Sequence, residues 1–339
     1  MEIITGLLII AIGSLGQSSS YVPIKKIRQW SWESFWLVQG VFAWLIFPVL
    51  GAWLAIPADG TLAELYAAGG ACEAMLHGVA WGVGGLTFGL GMRYLGVALG
   101  QTIALGTCAA FGTLLPALLK GDDLFSGEGL LLLAGVSITL AGIAIIGYAG
   151  SLRARDMSRD EKLAAIKEFA LAKGLLVALV AGVTSACFAL GLEAGSDIKA
   201  RAISLGVNPL YAGLPVVLLV TSGGFLTNAA YCLYRNAKNH SFRDYTAAAR
   251  VLLNNIAFCA LAGILWYSQF FGLEAGKSFL VASPLLLAFS WCILMSLNVL
   301  FSNLWGVILK EWKGAGRAAI FTLLAGLLIL VFSMVFTAS

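Results

Sequence analysis

Charged residues are scarce in this sequence. Asp, Glu, Lys and Arg make up 11% of the 339 residues, whereas hydrophobic residues make up 60%. An ordinary globular domain carries roughly 25% charged residues, and a soluble chain of this length could not bury so much apolar side chain. The shortage of charge therefore excludes a soluble globular protein. The net charge of +4 is explained by its distribution across loops, so we expect no nucleic-acid partner.

The sequence also has only two histidines and no Cys-x-x-Cys motif. Neither of the two histidines, His77 and His240, belongs to a His, Cys or Asp cluster with the spacing of metal ligands. The six cysteines include no Cys-x-x-Cys pair and fall mostly within apolar segments, where a free thiol behaves as a small hydrophobic group. We therefore predict no bound metal, no cofactor and no catalytic residue, and hence a protein that is not an enzyme.

Long apolar runs recur along nearly the whole chain. Each is close to the roughly 20 residues that a helix needs to cross a hydrocarbon core of about 30 Å. We predict an all-α polytopic membrane protein with a lipid bilayer as its surroundings. Because Glu2 replaces a basic segment and no small-residue cleavage site follows, we expect the first run to be retained rather than removed as a signal peptide. The ten predicted spans are Ile3–Tyr21, Trp32–Ile56, Ala71–Met92, Leu95–Leu119, Leu130–Tyr148, Gly174–Leu192, Tyr211–Tyr234, Val251–Phe271, Ser283–Leu309 and Ala318–Phe336.

Basic residues are distributed unevenly among the loops that join these spans. If both termini lie outside, all but four of the 21 Lys and Arg residues fall in inner loops. Lys and Arg are retained on the cytoplasmic side of bacterial membranes. The distribution therefore predicts an even number of spans and two periplasmic termini. The four outer cations are Lys120, Lys199, Arg201 and Lys277.

The two halves of the chain echo each other in the same order. Gly6–Leu8 and Gly174–Leu176 both read Gly-Leu-Leu, while Leu132–Gly135 and Leu323–Gly326 both read Leu-Leu-Ala-Gly. Five spans in each half is an odd number, so the second half must enter the membrane in the opposite direction. Inverted repeats of this kind are typical of secondary transporters.

The predicted organisation is a first five-helix repeat, a charged linker and a second, inverted five-helix repeat. Their bounds are residues 1–150, 151–173 and 174–339. The linker, rich in both signs of charge, is predicted to lie in the cytoplasm. Nothing in the sequence defines the oligomeric state, and a monomer is one option that it leaves open.

Polar and aromatic side chains recur at helical spacing within some spans. The eighth span carries the clearest stripe: Asn255, Cys259, Ala262, Trp266 and Gln269. Their 4-3-4-3 spacing places them on one helical face, and lipid would penalise Asn and Gln, so we expect that face to point inward. It either contacts the substrate or forms hydrogen bonds between helices.

Two other spans carry comparable faces. In the third span, His77, Trp81, Gly84 and Phe88 share one face. In the first span, Gln17 and Tyr21 lie on one face with Ser14. We include Trp81, Gln17 and Tyr21 among the candidate substrate contacts.

Acidic residues near the spans are few. Glu33 lies among tryptophans where the second span begins, and a carboxylate there is costly unless it has a function. Because burial favours the protonated carboxyl group, Glu33 is our candidate for proton coupling, against a capping role at a helix N-terminus. Arg93 is either an anchor at the inner surface or a partner for a carboxylate.

Several blocks of the sequence closely resemble the L-rhamnose–proton symporter family. They occur in the family's order over essentially the whole chain, so the resemblance is specific. The blocks are Tyr21–Lys26, Trp30–Glu33, Met92–Gly96, Gly206–Tyr211, Trp266–Phe271 and Leu309–Trp312.

This resemblance implies a member of the drug/metabolite transporter superfamily with ten helices in two inverted halves. It also implies import of L-rhamnose coupled to protons across a bacterial inner membrane. Glu33, Arg93, Asn255, Trp266, Tyr267 and Gln269 lie in or beside the matching blocks, which strengthens them as site candidates. His77 and Glu193 do not match the family pattern.

The alternatives within the transporter class are a symporter for another deoxy sugar such as L-fucose, or a metabolite exporter of the same superfamily. An intramembrane enzyme would need a catalytic constellation, which the sequence does not offer. A channel would not need two inverted halves that rock about a central site. We expect sugar binding in a central cavity, alternating access, and reorientation of the loaded carrier upon protonation of Glu33.

Overall fold

Every regular element that the computed structural model describes is helical. The structure describes residues 2–58, 60–95, 97–156, 171–310 and 312–338. The α-helices are α1 Glu2–Ser19, α2 Tyr21–Ile24, α3 Trp32–Gly40, α4 Phe47–Trp53, α5 Leu62–Tyr66, α6 Ala71–Leu95, α7 Val97–Lys120, α8 Gly127–Asp156, α9 Leu171–Ala194, α10 Ser196–Ser204, α11 Leu214–Asn239, α12 Ala249–Lys277, α13 Pro284–Ile308 and α14 Arg317–Ala338. A π-helical turn, Val41–Ile46, joins α3 to α4, and a 3₁₀ turn, Ser241–Thr246, precedes α12.

Many of these helices are suited to a lipid environment. Within the described ranges, nine helical stretches are long and apolar enough to cross a membrane. The prediction of an all-α membrane protein with many spans agrees with this result. The nine stretches are Glu2–Ile24, Trp32–Trp53, Thr102–Lys120, Gly127–Arg153, Ala172–Ser204, Leu214–Asn239, Ala249–Lys277, Pro284–Ile308 and Arg317–Ala338.

The remaining predicted span, Ala71–Met92, lies on the continuous helix α6 but is not among these nine stretches. Glu73 and His77 occupy the first two turns of α6 and make that part of the helix more polar. The count of ten spans therefore stays a prediction.

The helices that flank the predicted linker are longer than expected. Helix α8 continues to Asp156 and α9 begins at Leu171, so both ends of the 151–173 segment are helical. Residues 157–170 of the linker lie outside the described residues.

The second predicted span contains a change of helix type. The α-helical geometry of α3 gives way to the π-helical turn and resumes at α4. Pro48 lies in the first turn of α4, and its missing N–H cannot bond to the carbonyl of Trp44 four residues earlier. A wider turn before the proline removes this conflict, and π turns are often found at functional sites.

The chain forms two compact units. The first unit comprises Met1–Gly82 and Gly191–Leu280, and the second comprises Val83–Leu190 and Val281–Ser339. Each unit therefore takes residues from both predicted halves. The two units reflect where contacts within the chain are dense, whereas repeats are defined by symmetry. The division into units therefore does not test the predicted repeats.

Glycine contacts hold α1 against α12 in the first unit. A Cβ atom at Gly13 would lie 3.2 Å from the Cα atom of Gly272 and closer still to the backbone of Ser268. The Ser268 hydroxyl donates to the Gly13 carbonyl over 2.9 Å. Small residues let helices approach closely in lipid, where no hydrophobic driving force acts between them.

Helices α8 and α14 make a reciprocal, antiparallel contact in the second unit. Gly135 packs against Thr337, and Gly326 against Ile146. If the two Leu-Leu-Ala-Gly motifs are aligned, Gly135 corresponds to Gly326 and Thr337 corresponds to Ile146. Each of the two contacts is therefore the counterpart of the other. Thr139 donates to Ser333 over 2.9 Å, and that contact maps onto the packing of Gly142 against Leu330.

Candidate functional site

Four tryptophans meet in the first unit. Trp44, from the π turn, packs edge-to-face with its ring centroid 5.7 Å from Trp36, 5.8 Å from Trp81 and 5.9 Å from Trp266. Trp81 and Trp266 lie 5.8 Å apart at an angle of 34°. We call these four residues the tryptophan cluster. It brings together Trp81 and Trp266, two candidates predicted on different spans.

The π turn sets the register of this cluster. In an uninterrupted α-helix, side chains eight residues apart are turned about 80° from each other. The π turn winds less per residue and brings Trp36 and Trp44 close enough to pack. Glycines then make room for the rings, because a Cβ atom would collide with the Trp44 ring at Gly40 and with the Trp81 ring at Gly224.

Two buried donors, one within the cluster and one on the residue that follows Trp266, have no hydrogen-bond partner among the described residues. They are the indole Nε1 of Trp44, whose side chain is 4% exposed, and the hydroxyl of Tyr267, which is 5% exposed. The Tyr267 hydroxyl faces Gly51, where a Cβ atom would collide with it. A buried donor without a partner costs about 1–3 kcal/mol. Such a cost is tolerated where a ligand completes the bond.

The surfaces of Trp81 and Trp266 are only half-buried. Gln269 is buried and donates from Nε2 to the Trp266 carbonyl over 3.2 Å. The cluster thus offers aromatic surface together with the unpartnered Trp44 donor, which is an arrangement suited to a hydroxylated, partly apolar ligand.

Glu33 lies in the first turn of α3, at the N-terminal end of the helical stretch that also carries Trp44. Its carboxylate is 3% exposed, and its Oε1 accepts from Asn239 Nδ2 over 2.7 Å and from the Ser241 hydroxyl over 2.8 Å. Trp44 is about three turns further along, roughly 16 Å at 1.5 Å per residue. The two candidate sites are therefore separate but mechanically connected through α3 and the π turn.

A third polar group lies at the C-terminal end of α12. Glu274, which is 3% exposed, accepts from Lys199 Nζ over 2.9 Å and from Lys277 Nζ over 3.0 Å. Lys199 belongs to the short helix α10, so the ion pairs tie that helix to α12. Because both cations lie close to its carboxylate, we assign Glu274 to structural ion pairs and not to proton coupling.

The comparisons with known proteins identify the family. The family described as "L-rhamnose-proton symport protein" matches residues 1–338. A protein from Cronobacter sakazakii, named L-rhamnose-proton symporter, is 36% identical over 332 residues, covering 96% of this chain and 94% of its own length. A protein of the same name from Yersinia pestis is 35% identical over 335 residues, covering 97% of this chain and 95% of its own length. This chain belongs to the L-rhamnose-proton symport family. It is a membrane transport protein, as the resemblance implied.

The structure gives Asn255 a structural contact in this member of the symport family. Its Oδ1 accepts from the backbone N–H of Arg28 over 3.1 Å, and its Nδ2 donates to the Arg28 carbonyl over 2.7 Å. The side chain thus clamps the loop between the first two spans. It is fully buried, and the stripe that was predicted to place it with Trp266 extends from this loop to the tryptophan cluster.

The other predicted contacts are dispersed. Tyr21 is 55% exposed in α2, while Gln17 is half-buried and accepts from the neighbouring Ser18 hydroxyl over 3.3 Å. Arg93 lies near the end of α6, and its side chain is outside the described part of the chain. His77 turns its Nδ1 toward the carbonyl of Glu73, 3.0 Å away. The contacts named here for Gln17 and His77 are made outside the tryptophan cluster.

Sequence reasoning missed Trp44 and Asp244. In a regular α-helix Trp44 would be turned about 80° from Trp36, so the packing of the two rings depends on the π turn, which the sequence did not predict. Asp244 lies in the loop between the seventh and eighth predicted spans, of which the sequence analysis used only the basic residues. The Oδ2 of Asp244 accepts from the backbone N–H and the hydroxyl of Ser31, each over 2.8 Å.

Proposed function

We propose that this protein imports L-rhamnose together with a proton across a bacterial inner membrane by alternating access. The tryptophan cluster, with its unpartnered Trp44 donor, is the observation that carries the proposal for a chain of this family. L-rhamnose is a deoxy sugar with a methyl group, C–H faces and several hydroxyls. Its recognition therefore requires both aromatic surface and hydrogen-bond donors.

The sugar would contact Trp81 and Trp266 through its apolar face. The Trp44 indole N–H and the Tyr267 hydroxyl would donate to sugar oxygens, and Gln269 would support the Trp266 backbone. Tryptophan offers a large rigid surface with a polar edge, so it can serve both needs. Gln17, Tyr21, Arg93 and Asn255 are not assigned to the sugar.

The reciprocal contact between α8 and α14 supports two inverted repeats. A two-fold operation that exchanges equivalent helices makes contacts between them occur in pairs. It also makes the fifth and tenth spans antiparallel, which is how α8 and α14 pack. Inverted repeats allow two related conformations, open to opposite sides of the membrane.

Glu33 would hold the transported proton. It is buried, lies at the start of a span and is connected through α3 to Trp44, so a change at one site can be transmitted to the other. The distribution of Lys and Arg supports a cytoplasmic position for the Glu33 end, and periplasmic termini.

The test is tracer uptake into proteoliposomes that contain the purified protein. With an inward proton gradient, L-rhamnose should accumulate and then leave when a protonophore dissipates the gradient. Excess unlabelled L-rhamnose should compete more strongly than excess L-fucose. Uptake that ignores the proton gradient would contradict symport, and stronger competition by L-fucose would reassign the sugar.

A further inference from the structure

The first unit contains a partly open groove between two helical stretches, and we call it the apolar groove. Val38, Val41 and Phe42 line it from α3 and the π turn. Leu252 and Ile256 line it from the first part of α12. None of these five side chains is buried, and the groove has a volume of about 370 Å³. An apolar group can therefore enter it from outside the protein.

Two aromatic residues line the loop end of the groove, just before α3 and α12 begin. Trp30 and Tyr245 pack edge-to-face with their ring centroids 5.8 Å apart. Their polar atoms already have partners. The Trp30 indole donates to the Asp244 carbonyl over 2.8 Å, and the Tyr245 hydroxyl accepts from Asn236 Nδ2 over 3.3 Å. The lining side chains therefore favour a ligand made of methylene groups over a sugar.

The dimensions of the groove match one leaflet of a bilayer. Aromatic rings such as those of Trp30 and Tyr245 favour the membrane interface. From Trp32, where α3 begins, the helical stretch rises about 15 Å to Phe42 at 1.5 Å per residue, and half of a hydrocarbon core is also about 15 Å. If a methylene group takes up about as much space as a water molecule, about 30 Å³, the groove holds about twelve of them. That is most of one phospholipid acyl chain.

Exposed arginines surround the loop end of the groove. Arg28, Arg243 and Arg250 each lie two residues before a lining residue, on three different segments. The Arg243 charge acts on Asp244. No carboxylate of the described residues lies within ion-pair distance of Arg28 or Arg250. Unpaired cations beside an apolar groove are complementary to a lipid with a negatively charged head group.

Hydrogen bonds hold these three segments together. Asn255 of α12 bonds to the backbone N–H and carbonyl of Arg28, and Asn254 donates to the Lys26 carbonyl over 3.2 Å. The Trp30 indole joins the same loop to the 3₁₀ turn. The backbones that carry the arginines are therefore fixed around one end of the groove.

We propose that the apolar groove binds one anionic phospholipid, with an acyl chain between α3 and α12 and the phosphate at Arg28 and Arg250. The distribution of Lys and Arg places this lipid in the cytoplasmic leaflet. A basic site at that surface attracts anionic head groups. The ligand is a membrane component and not the transported sugar, so this proposal does not depend on the proposed import of L-rhamnose.

An acyl chain in the groove would support the π turn. The backbone of this turn already rests on α12, because a Cβ atom at Gly263 would lie 2.7 Å from the Phe42 Cβ atom and 3.0 Å from the Ala43 nitrogen. Val41 and Phe42 line the open groove, where an acyl chain would add van der Waals contacts. The same turn carries Trp44, so the bound lipid would stabilise the position of the tryptophan cluster.

The first test measures lipid binding to the purified protein by native mass spectrometry. Phosphatidylglycerol should bind more tightly than phosphatidylcholine with identical acyl chains. Arg28→Gln combined with Arg250→Gln should lower the affinity for phosphatidylglycerol by on the order of ten-fold and leave that for phosphatidylcholine unchanged. Lys313→Gln combined with Arg317→Gln is the matched control, because it removes the same charge from exposed residues in another predicted cytoplasmic loop. It should bind both lipids as the wild type does.

The groove itself is tested by Ile256→Trp, which fills it with a larger side chain and should weaken binding of both lipids. Leu253→Trp is its control, since Leu253 is 71% exposed on the same helix but does not line the groove. Equal binding of the two lipids by the wild type would overturn the proposal. So would phosphatidylglycerol binding that survives both Ile256→Trp and the double arginine variant.

Hydrogen exchange of the wild-type protein tests the support of the π turn without any variant. The amides of Val41–Ile46 should exchange several-fold more slowly in nanodiscs of phosphatidylglycerol than in nanodiscs of phosphatidylcholine. The amides of Arg317–Ala338, in the other unit, should exchange at the same rate in both. Exchange of the π turn that ignores the lipid would contradict its support by a bound acyl chain. Neither test contains L-rhamnose, so a failure of the proposed sugar transport would leave both results intact.

Discussion

Replacing Trp44 with phenylalanine separates a role in sugar binding from a role in packing. Trp44→Phe keeps an aromatic ring in the π turn but removes the Nε1 donor, which has no partner within the described protein. If that donor bonds to a sugar hydroxyl, its loss should cost about 1 kcal/mol of binding free energy. The dissociation constant for L-rhamnose should then rise about five-fold.

Protein stability should respond differently. The substitution removes a buried unsatisfied donor, worth about 1–3 kcal/mol, but it also loses part of the ring's packing, a fraction of the roughly 3–5 kcal/mol lost when a tryptophan becomes alanine. The two effects oppose each other, so the melting temperature should change little. Calorimetric titration with L-rhamnose and a fluorescence melt of the same purified sample measure both quantities.

Trp36→Phe is the matched control in the same cluster. The Trp36 indole donates to Asn228 Oδ1 over 3.0 Å, so its loss leaves a buried acceptor unpaired. This variant should melt earlier and bind L-rhamnose with nearly the wild-type affinity. Unchanged affinity in Trp44→Phe, or a larger loss of affinity in Trp36→Phe, would refute the assignment of Trp44 to the sugar site.

Three further predictions concern the ion pairs, the helix contacts and the topology. Lys199→Met or Lys277→Met alone leaves Glu274 one cation within about 3 Å. The double variant leaves the buried Glu274 carboxylate unpaired and should lower the free energy of unfolding by about 3–5 kcal/mol. Melts in which the effects of the two single variants simply add up would contradict this. Gly13→Val should force α1 away from α12 and cost about 1–3 kcal/mol, so a normal yield and melting temperature would be unexpected. Cys72 is exposed and, with periplasmic termini, should react with an impermeant maleimide added to intact cells; labelling only after lysis would reverse the predicted topology.

The spans were predictable because apolar length is a strong and local signal. The π turn was not, because it depends on how Pro48 and the packing of Trp44 are accommodated together. The same limit explains why Trp44 was missed although Trp81 and Trp266 were selected. Regular α-helical spacing turns Trp44 about 80° from Trp36, so the direct packing of the two rings was not expected from the sequence.

Polar residues were harder to interpret than aromatic ones. The sequence indicated that Asn255 faces inward, and it is fully buried, but its partner is the backbone of Arg28 over 200 residues away in the chain. Glu33 was selected by its position, while its hydrogen bonds to Asn239 and Ser241 join segments that are about 200 residues apart in the chain. Hydrogen-bond partners of this kind are set by tertiary structure.

Proton movement driven by sugar tests the central claim most directly. Adding L-rhamnose to de-energised cells that contain the protein should make the medium more alkaline, and Glu33→Gln should abolish this response. Glu64→Gln, at an exposed capping residue, should retain it. An absence of alkalinisation in cells with confirmed wild-type protein would contradict proton-coupled rhamnose import, and a full response in Glu33→Gln would move the proton to another residue.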